Sequence, residues 1–297
     1  MLSLAALSKI VESHSEALSL QIEPFEVRGV RFGDREASNL MGVINLSADS
    51  WYRESICHSA EDAIERGMSL IKLGATVVDV GAESTLPDAE SRSESEQQYE
   101  LVPVVSGLVN AGNLVSVETY LPEVAKACFE KGAGILNLTG KRESKECYRM
   151  AAANDAAVII CFVGGDDVRN VKELDLEQDL YSVMKDYFSK EIEKANKVGL
   201  DKVFIDPGMG FYYRNLTDGR RRVQFQMNTF LNSFRFRELG YPICQALPHS
   251  VETFGSEVRT AEGFFAVLAQ LGQASLFRTH EVARVKAVLD TMALFTS

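Results

Sequence analysis

The chain has 297 residues, 46% of them hydrophobic and 25% charged, an ordinary globular composition that excludes a disordered or low-complexity protein. Its 31 Lys and Arg stand against 42 Asp and Glu, a formal charge of -11, which argues against nucleic acid or an anionic membrane as the main partner. Five cysteines (Cys57, Cys128, Cys147, Cys161, Cys244) show no metal spacing, and their odd count and scatter fit a reduced, cytoplasmic setting. No run approaches the roughly 20 apolar residues of a membrane helix. The first twenty residues lack an early basic cluster and read as an amphipathic helix rather than a signal peptide.

Residues 24–40, PFEVRGVRFGDREASNL, read as a hairpin turning near Gly33-Asp34. Short apolar runs then alternate with amphipathic ones. The expected strands are Leu40–Asn45, Thr76–Val80, Leu114–Glu118, Gly134–Leu138, Ala157–Val163, Lys202–Asp206, Tyr241–Ala246 and Ala274–Arg278. Their Val, Ile and Leu content suits strands buried on both faces. Between them, SAEDAIERGMSLIKLG (59–74) opens on a Ser cap and an acidic turn and ends on Gly. LPEVAKACFEKG (121–132) ends the same way, residues 174–199 suit a long helix, and EVARVKAVLDTMALF (281–295) closes the chain.

Eight strands with intervening helices predict an α/β fold, a (β/α)8 TIM barrel over residues 40–297, behind a short N-terminal helix and hairpin extension over 1–39. A doubly wound sheet would carry a Gly-rich loop after its first strand, and NLSADSWYRES (45–55) is no such loop. In a barrel the chemistry sits where the strands end. There stand Asn45, Glu118, Asn137, Asp206, Arg278 and His280. Acids and amides suit a flat heterocycle with N–H donors and a carbonyl, Arg278 suits an aromatic face or an anion, and His280 suits a phosphate. Asn45 is placed to join it, on the anion or on a metal the anion carries. Any one of these residues alone is more simply a turn former or cap; their convergence carries the reading. Asp79, inside the second strand, reads as a buried structural acid outside the site. Arg220-Arg221-Arg222 reads as a solvated helix start, with the alternative that it brings a cation to the site.

MGVINLSADS (41–50), VVDVGAESTLPDA (77–89), SVETYLPEVA (116–125), GAGILNLTG (132–140), IDPGMGF (205–211) and FRTHEV (277–282) together resemble the signatures of the dihydropteroate synthase family, in its order and approximate spacing. The resemblance implies a transferase of folate biosynthesis that joins hydroxymethyl-dihydropterin diphosphate to para-aminobenzoate, releasing pyrophosphate with Mg2+. It implies that Asp206, Asn137 and Glu118 hold the pterin, that Arg278 packs on it, and that Arg278, His280 and Asn45 take the diphosphate. Asn45 would lie near the Mg2+, and Thr85 in a loop over the aminobenzoate. Phe211 closes the IDPGMGF motif and is a further candidate. The resemblance also implies a homodimer.

The sequence departs from the family pattern on the acceptor side. The family's Ser-Arg-Lys run after strand seven is missing, and CQALPHSVETFG (244–255) puts Pro248, His249 and Ser250 there instead. His249 is therefore a candidate for part of the lost role. Leu86 stands where an Arg is usual, Glu118 where an Asp is, and Leu138 where an acid commonly is. These changes keep open an altered acceptor, a pterin-binding paralogue without synthase activity, and a pterin- or folate-dependent methyltransferase on the same barrel.

Overall fold

The computed structural model describes residues 2–34, 38–47, 55–84, 91–168, 173–174, 179–211, 213, 215–216, 218–248 and 251–295. The N-terminal segment forms α1 (Leu4–Ser13), α2 (Ser15–Ser19) and the hairpin β1 (Phe25–Val27) and β2 (Val30–Phe32). Eight further strands follow: β3 (Asn39–Asn45), β4 (Val77–Gly81), β5 (Val115–Thr119), β6 (Ile135–Leu138), β7 (Ala157–Cys161), β8 (Val203–Asp206), β9 (Cys244–Ala246) and β10 (Leu276–Thr279). Each of the eight expected strands is present, shifted by a few residues at its ends. Pairing is parallel in the order β8-β7-β6-β5-β4-β3-β10-β9. A parallel bridge between Ile205 and Ile243, with the Ile205 N–H donating to the Pro242 carbonyl at 3.0 Å, joins the two outer strands and closes the barrel.

The helices on the outside are α3 (Ala60–Lys72), α4 (Glu94–Asn110), α5 (Pro122–Phe129), α6 (Ser144–Ala153), α7 (Leu180–Lys197), α8 (Gly219–Asn232), α9 (Val251–Phe254), α10 (Val258–Leu271) and α11 (Val282–Ala293). Their starts follow local chemistry. Ser59 caps α3 by accepting from the Asp62 N–H, and Ser93 with Glu96 forms a reciprocal capping box on α4. Pro122 stands in the first turn of α5, where a missing N–H costs nothing. The long helix expected from residue 174 starts only at Leu180, because Asp179 caps it by accepting from the Tyr181 N–H. Strands β4 and β7 are buried along their whole length, as strands sandwiched between a barrel interior and a helix layer must be.

The hairpin turns earlier than Gly33-Asp34. Val27 pairs with Val30, so the turn is Arg28-Gly29, with φ of 49° and 83°. Two consecutive positive φ values are the mark of the type I′ turn that matches strand twist. Gly33, at φ 93°, instead lets the chain pass Pro24, whose Cα would lie 3.2 Å from an added Cβ. Phe25 and Phe32 meet the ring of Phe204 on β8 edge-on, at 5.0 and 5.1 Å between centroids. Val27 lies against Gly134, just before β6. The hairpin therefore covers the N-terminal end of the barrel, opposite the mouth. Among the described residues no helix is long and apolar enough to cross a membrane.

Candidate active site

The parallel register builds one row of inward residues near the mouth. Asn45 aligns with Gly81, Gly81 with Glu118, and Glu118 with Asn137. Gly81 stands directly beside Glu118, where a Cβ would lie in ordinary contact at 3.5 Å from the Glu118 Cβ. Two residues before Gly81, and so on the same face one layer deeper, stands Asp79. It is fully buried and is the hub of the cluster. Its Oδ1 accepts from the Ser116 hydroxyl at 2.6 Å, and its Oδ2 accepts from Asn137 Nδ2 at 3.2 Å and from Arg278 Nε at 2.7 Å. Arg278 donates a further hydrogen bond to Glu118 Oε2. The guanidinium is thereby fixed in plane and position between two carboxylates.

Asp206 ends β8. Its Oδ1 accepts from the Gly208 N–H at 2.7 Å, while its Oδ2 has the Cys161 thiol at 4.0 Å. That turn needs glycine: Gly208 has φ of 72°, and a Cβ on it would fall 2.2 Å from the Phe162 carbonyl oxygen. Cys161 also donates to Asn137 Oδ1 at 3.3 Å. Asn137 thus has each end of its amide oriented by a neighbour, with one N–H and one lone pair left over for a ligand.

Electrostatics follow from burial and neighbours. Burial raises the Asp206 carboxyl to about 6, against the lowering effects of the Gly208 N–H and Arg278. Burial also raises Glu118, Arg278 opposes the rise, and Asp79, Asp206 and Glu83 add to it as like charges. For Arg278 burial works against the charge, and the carboxylates of Glu118 and Asp79 outweigh it, so the guanidinium stays charged. Burial pushes the Cys161 thiol well up, so it stays neutral.

The other residues expected in the site are Asn45, Phe211 and His280, which are described, and Thr85 and His249, which are not. Asn45 lies at the mouth, its Nδ2 donating to the Ser55 hydroxyl at 2.5 Å. His280 follows β10, in a turn held by the fully buried Glu262 of α10. One oxygen of Glu262 accepts from the Thr279 hydroxyl, from the His280 N–H at 3.2 Å and from the Glu281 N–H at 3.3 Å. Asn45, Glu118, Asn137, Asp206, Phe211, Arg278 and His280 all line one open cavity at the barrel mouth. Thr85 and His249 lie outside the described residues.

One reading from the sequence holds and one changes. Asp79 is the buried structural acid expected from the sequence and does not line the cavity, but it anchors Asn137 and Arg278, which do. Arg222 is not part of a solvated helix start: Arg220 and Arg221 are exposed, whereas Arg222 is only 5% exposed and lines the cavity. Glu262 was not singled out at all; a lone acid inside the apolar run AEGFFAVLAQL is the signal that marks it. Among the described residues, no group of three or more His, Cys, Asp or Glu is placed to hold a metal ion.

The match to a family model described as "Pterin binding enzyme" extends over residues 41–280. Dihydropteroate synthase of Clostridium beijerinckii is 30% identical over 217 residues, covering 71% of this chain and 74% of that protein. A probable bifunctional folylpolyglutamate synthase/dihydropteroate synthase of Haloferax volcanii is 26% identical over 263 residues, 86% of this chain but only 30% of that longer protein. Among solved structures, the dihydropteroate synthase of Xanthomonas albilineans with 4-aminobenzoic acid superposes with a TM-score of 0.76 at 25% identity, over 92% of this chain and 97% of that one. The chain belongs to the dihydropteroate synthase family of pterin-binding enzymes.

Proposed function

We propose that the chain condenses hydroxymethyl-dihydropterin diphosphate with para-aminobenzoate in folate biosynthesis. The observation that carries this is the fixed set of Asp206, Asn137 and Glu118 around a guanidinium pinned by Asp79. Ionised Asp206 accepts from the amino group and ring N–H of the pterin, Asn137 donates and accepts beside it, and Glu118 completes the polar edge. Arg278 covers the ring and, with His280 and Asn45, faces the diphosphate. The amine nitrogen bonds to the pterin methylene as the C–O bond to the diphosphate breaks, and the amine proton passes to solvent. A neutral aniline is nucleophilic without a base, so the protein's work is positioning and leaving-group stabilisation.

The donor set fits Mg2+ carried by the substrate. With its amide nitrogen on Ser55, Asn45 has its oxygen left for an ion that keeps waters and is held mainly by phosphate oxygens. When bound, Mg2+ neutralises charge on the departing pyrophosphate. Phe211 supplies an aromatic wall on the acceptor side, and Thr85 and His249 are assigned to the acceptor loops by resemblance. The reading further has the protein act as a cytoplasmic homodimer; five buried, unpaired cysteines support the reducing compartment.

Incubation with both substrates and Mg2+ should give dihydropteroate and pyrophosphate in equal amounts, followed by mass spectrometry. Pterin binding without any adduct would instead assign the chain to a pterin-binding paralogue. Methyl transfer from methyl-tetrahydrofolate would assign it to the methyltransferases.

A further inference from the structure

Arg278 and Glu118 are hydrogen-bonded to each other at the mouth, and each is followed by a threonine, Thr279 and Thr119. Side chains alternate along a strand, so both threonines turn away from the cavity towards the helix layer. Both are buried, and both are bonded in the same way. The Thr279 hydroxyl accepts from the Glu281 N–H, two residues on, at 2.9 Å and donates to Glu262 of α10. The Thr119 hydroxyl accepts from the Leu121 N–H, also two residues on, at 3.2 Å and donates to Gln97 Oε1 of α4 at 3.1 Å. In each case the helix is the one that precedes the strand in the chain.

Gln97 opens the buried stripe of α4, which continues through Leu101, Val104 and Leu108. It is 1% exposed, whereas Glu94, Ser95 and Glu96 before it are exposed. An amide in that place loses its water and needs a partner at each end to offset the cost. The second partner is the Arg92 carbonyl, to which Gln97 Nε2 donates at 3.3 Å. The Arg92 N–H in turn donates to Glu83 Oε1 at 2.9 Å. Glu83 and Glu118 follow or end the neighbouring strands β4 and β5, and both line the cavity. One buried amide therefore ties two adjacent strand exits together. The two carboxylates act on each other as like charges, so their own interaction does not hold these exits in place.

We propose that Gln97 is a positioning residue of the pterin site, holding the exit of β5 through the Thr119 hydroxyl so that Glu118 meets Arg278 and the ring edge in one fixed place. The proposal rests on the pterin reading above. Gln97 touches no ligand and acts through Thr119 and Glu118. A leucine would fill the stripe as well, but it would leave the Thr119 hydroxyl without its acceptor and the Arg92 carbonyl without its donor. Glu262 holds the turn that carries His280, on the diphosphate side; Gln97 holds the residue that meets the ring. Its loss is therefore felt equally with and without the diphosphate.

The test is calorimetry of hydroxymethyl-dihydropterin and of its diphosphate with Mg2+, on wild type, Gln97→Leu, Thr119→Val, the double variant and Thr119→Ser. Gln97→Leu should weaken both ligands by about fivefold or more, the loss expected for one buried hydrogen bond. Thr119→Val should do the same, and it carries the comparison if Gln97→Leu does not fold. The double variant should lie within about twofold of either single one, because both remove the same bond. Thr119→Ser, which keeps the hydroxyl, should restore affinity to near that of wild type. Affinities within about twofold of wild type in Gln97→Leu and Thr119→Val, even with a lower Tm, would overturn the proposal. So would a loss confined to the diphosphate, losses that multiply in the double variant, or a Ser variant as weak as the Val one. Should wild type bind neither ligand, the pterin reading fails on its own. The ligand-free protein then decides the proposal, through the carboxyl carbon of Glu118 followed by NMR across its titration. A midpoint displaced by about half a unit or more in Gln97→Leu sustains the proposal, and a smaller displacement overturns it.

Discussion

Asp206 and Asp79 lie in one cluster yet do different work. Asp206 has one oxygen committed to the Gly208 N–H and one turned towards Cys161 and the cavity. Replacing Asp206 by Asn removes a charge-assisted acceptor, so pterin affinity should fall about 30-fold or more, measurable by calorimetry. The raised carboxyl sets the pH dependence. Its folded value of about 6 lies above that of a free Asp, so the neutral form favours the empty fold, and this stabilisation is lost as pH rises through about 6. The pterin needs the ionised form. Affinity should therefore level off above pH 6 and fall by about tenfold per unit below it, with proton release on binding. An affinity independent of pH between 4.5 and 7 would contradict the role given to Asp206. Asp79 was not legible in this way. An acid inside an apolar strand reads equally well as structural, and only the strand register and the Arg278 pairing reveal it as the anchor of the site.

At the scale of elements, the eight strands and most helices could be read from runs of Val, Ile and Leu and from caps such as Ser59. Residues lying between elements were harder. The hairpin has two glycines that could serve a turn, and only the pairing of Val27 with Val30 selects Arg28-Gly29. Three adjacent arginines differ only in helical phase, and the docking of α8 through Gln226 decides which one turns inward. Because the hairpin plugs the end away from the mouth, Phe32→Ala should cost about 3–5 kcal/mol of stability while leaving pterin affinity within about twofold. Glu262→Gln should act oppositely on the site. It weakens the set of bonds that holds the Thr279–Glu281 turn, so affinity for pterin diphosphate should drop several-fold, while the pterin lacking its diphosphate binds as before. Equal losses for both ligands would remove Glu262 from the positioning of His280.

Over the whole molecule, the barrel gathers residues from position 45 to position 280 into one mouth, which is why strand-end polarity points to many of the residues that line it. The acceptor side is where the chain departs from its family pattern, with Pro248, His249 and Ser250 in place of the usual Ser-Arg-Lys run. A pterin site kept beside a rebuilt acceptor wall is the central claim. Titration of the chain with hydroxymethyl-dihydropterin diphosphate and Mg2+, in a calorimeter with and without para-aminobenzoate, tests it most directly. The account predicts a saturable binding isotherm alone, and sustained heat with matching pyrophosphate release once para-aminobenzoate is present. The same binding isotherm in both, with no pyrophosphate, would contradict it.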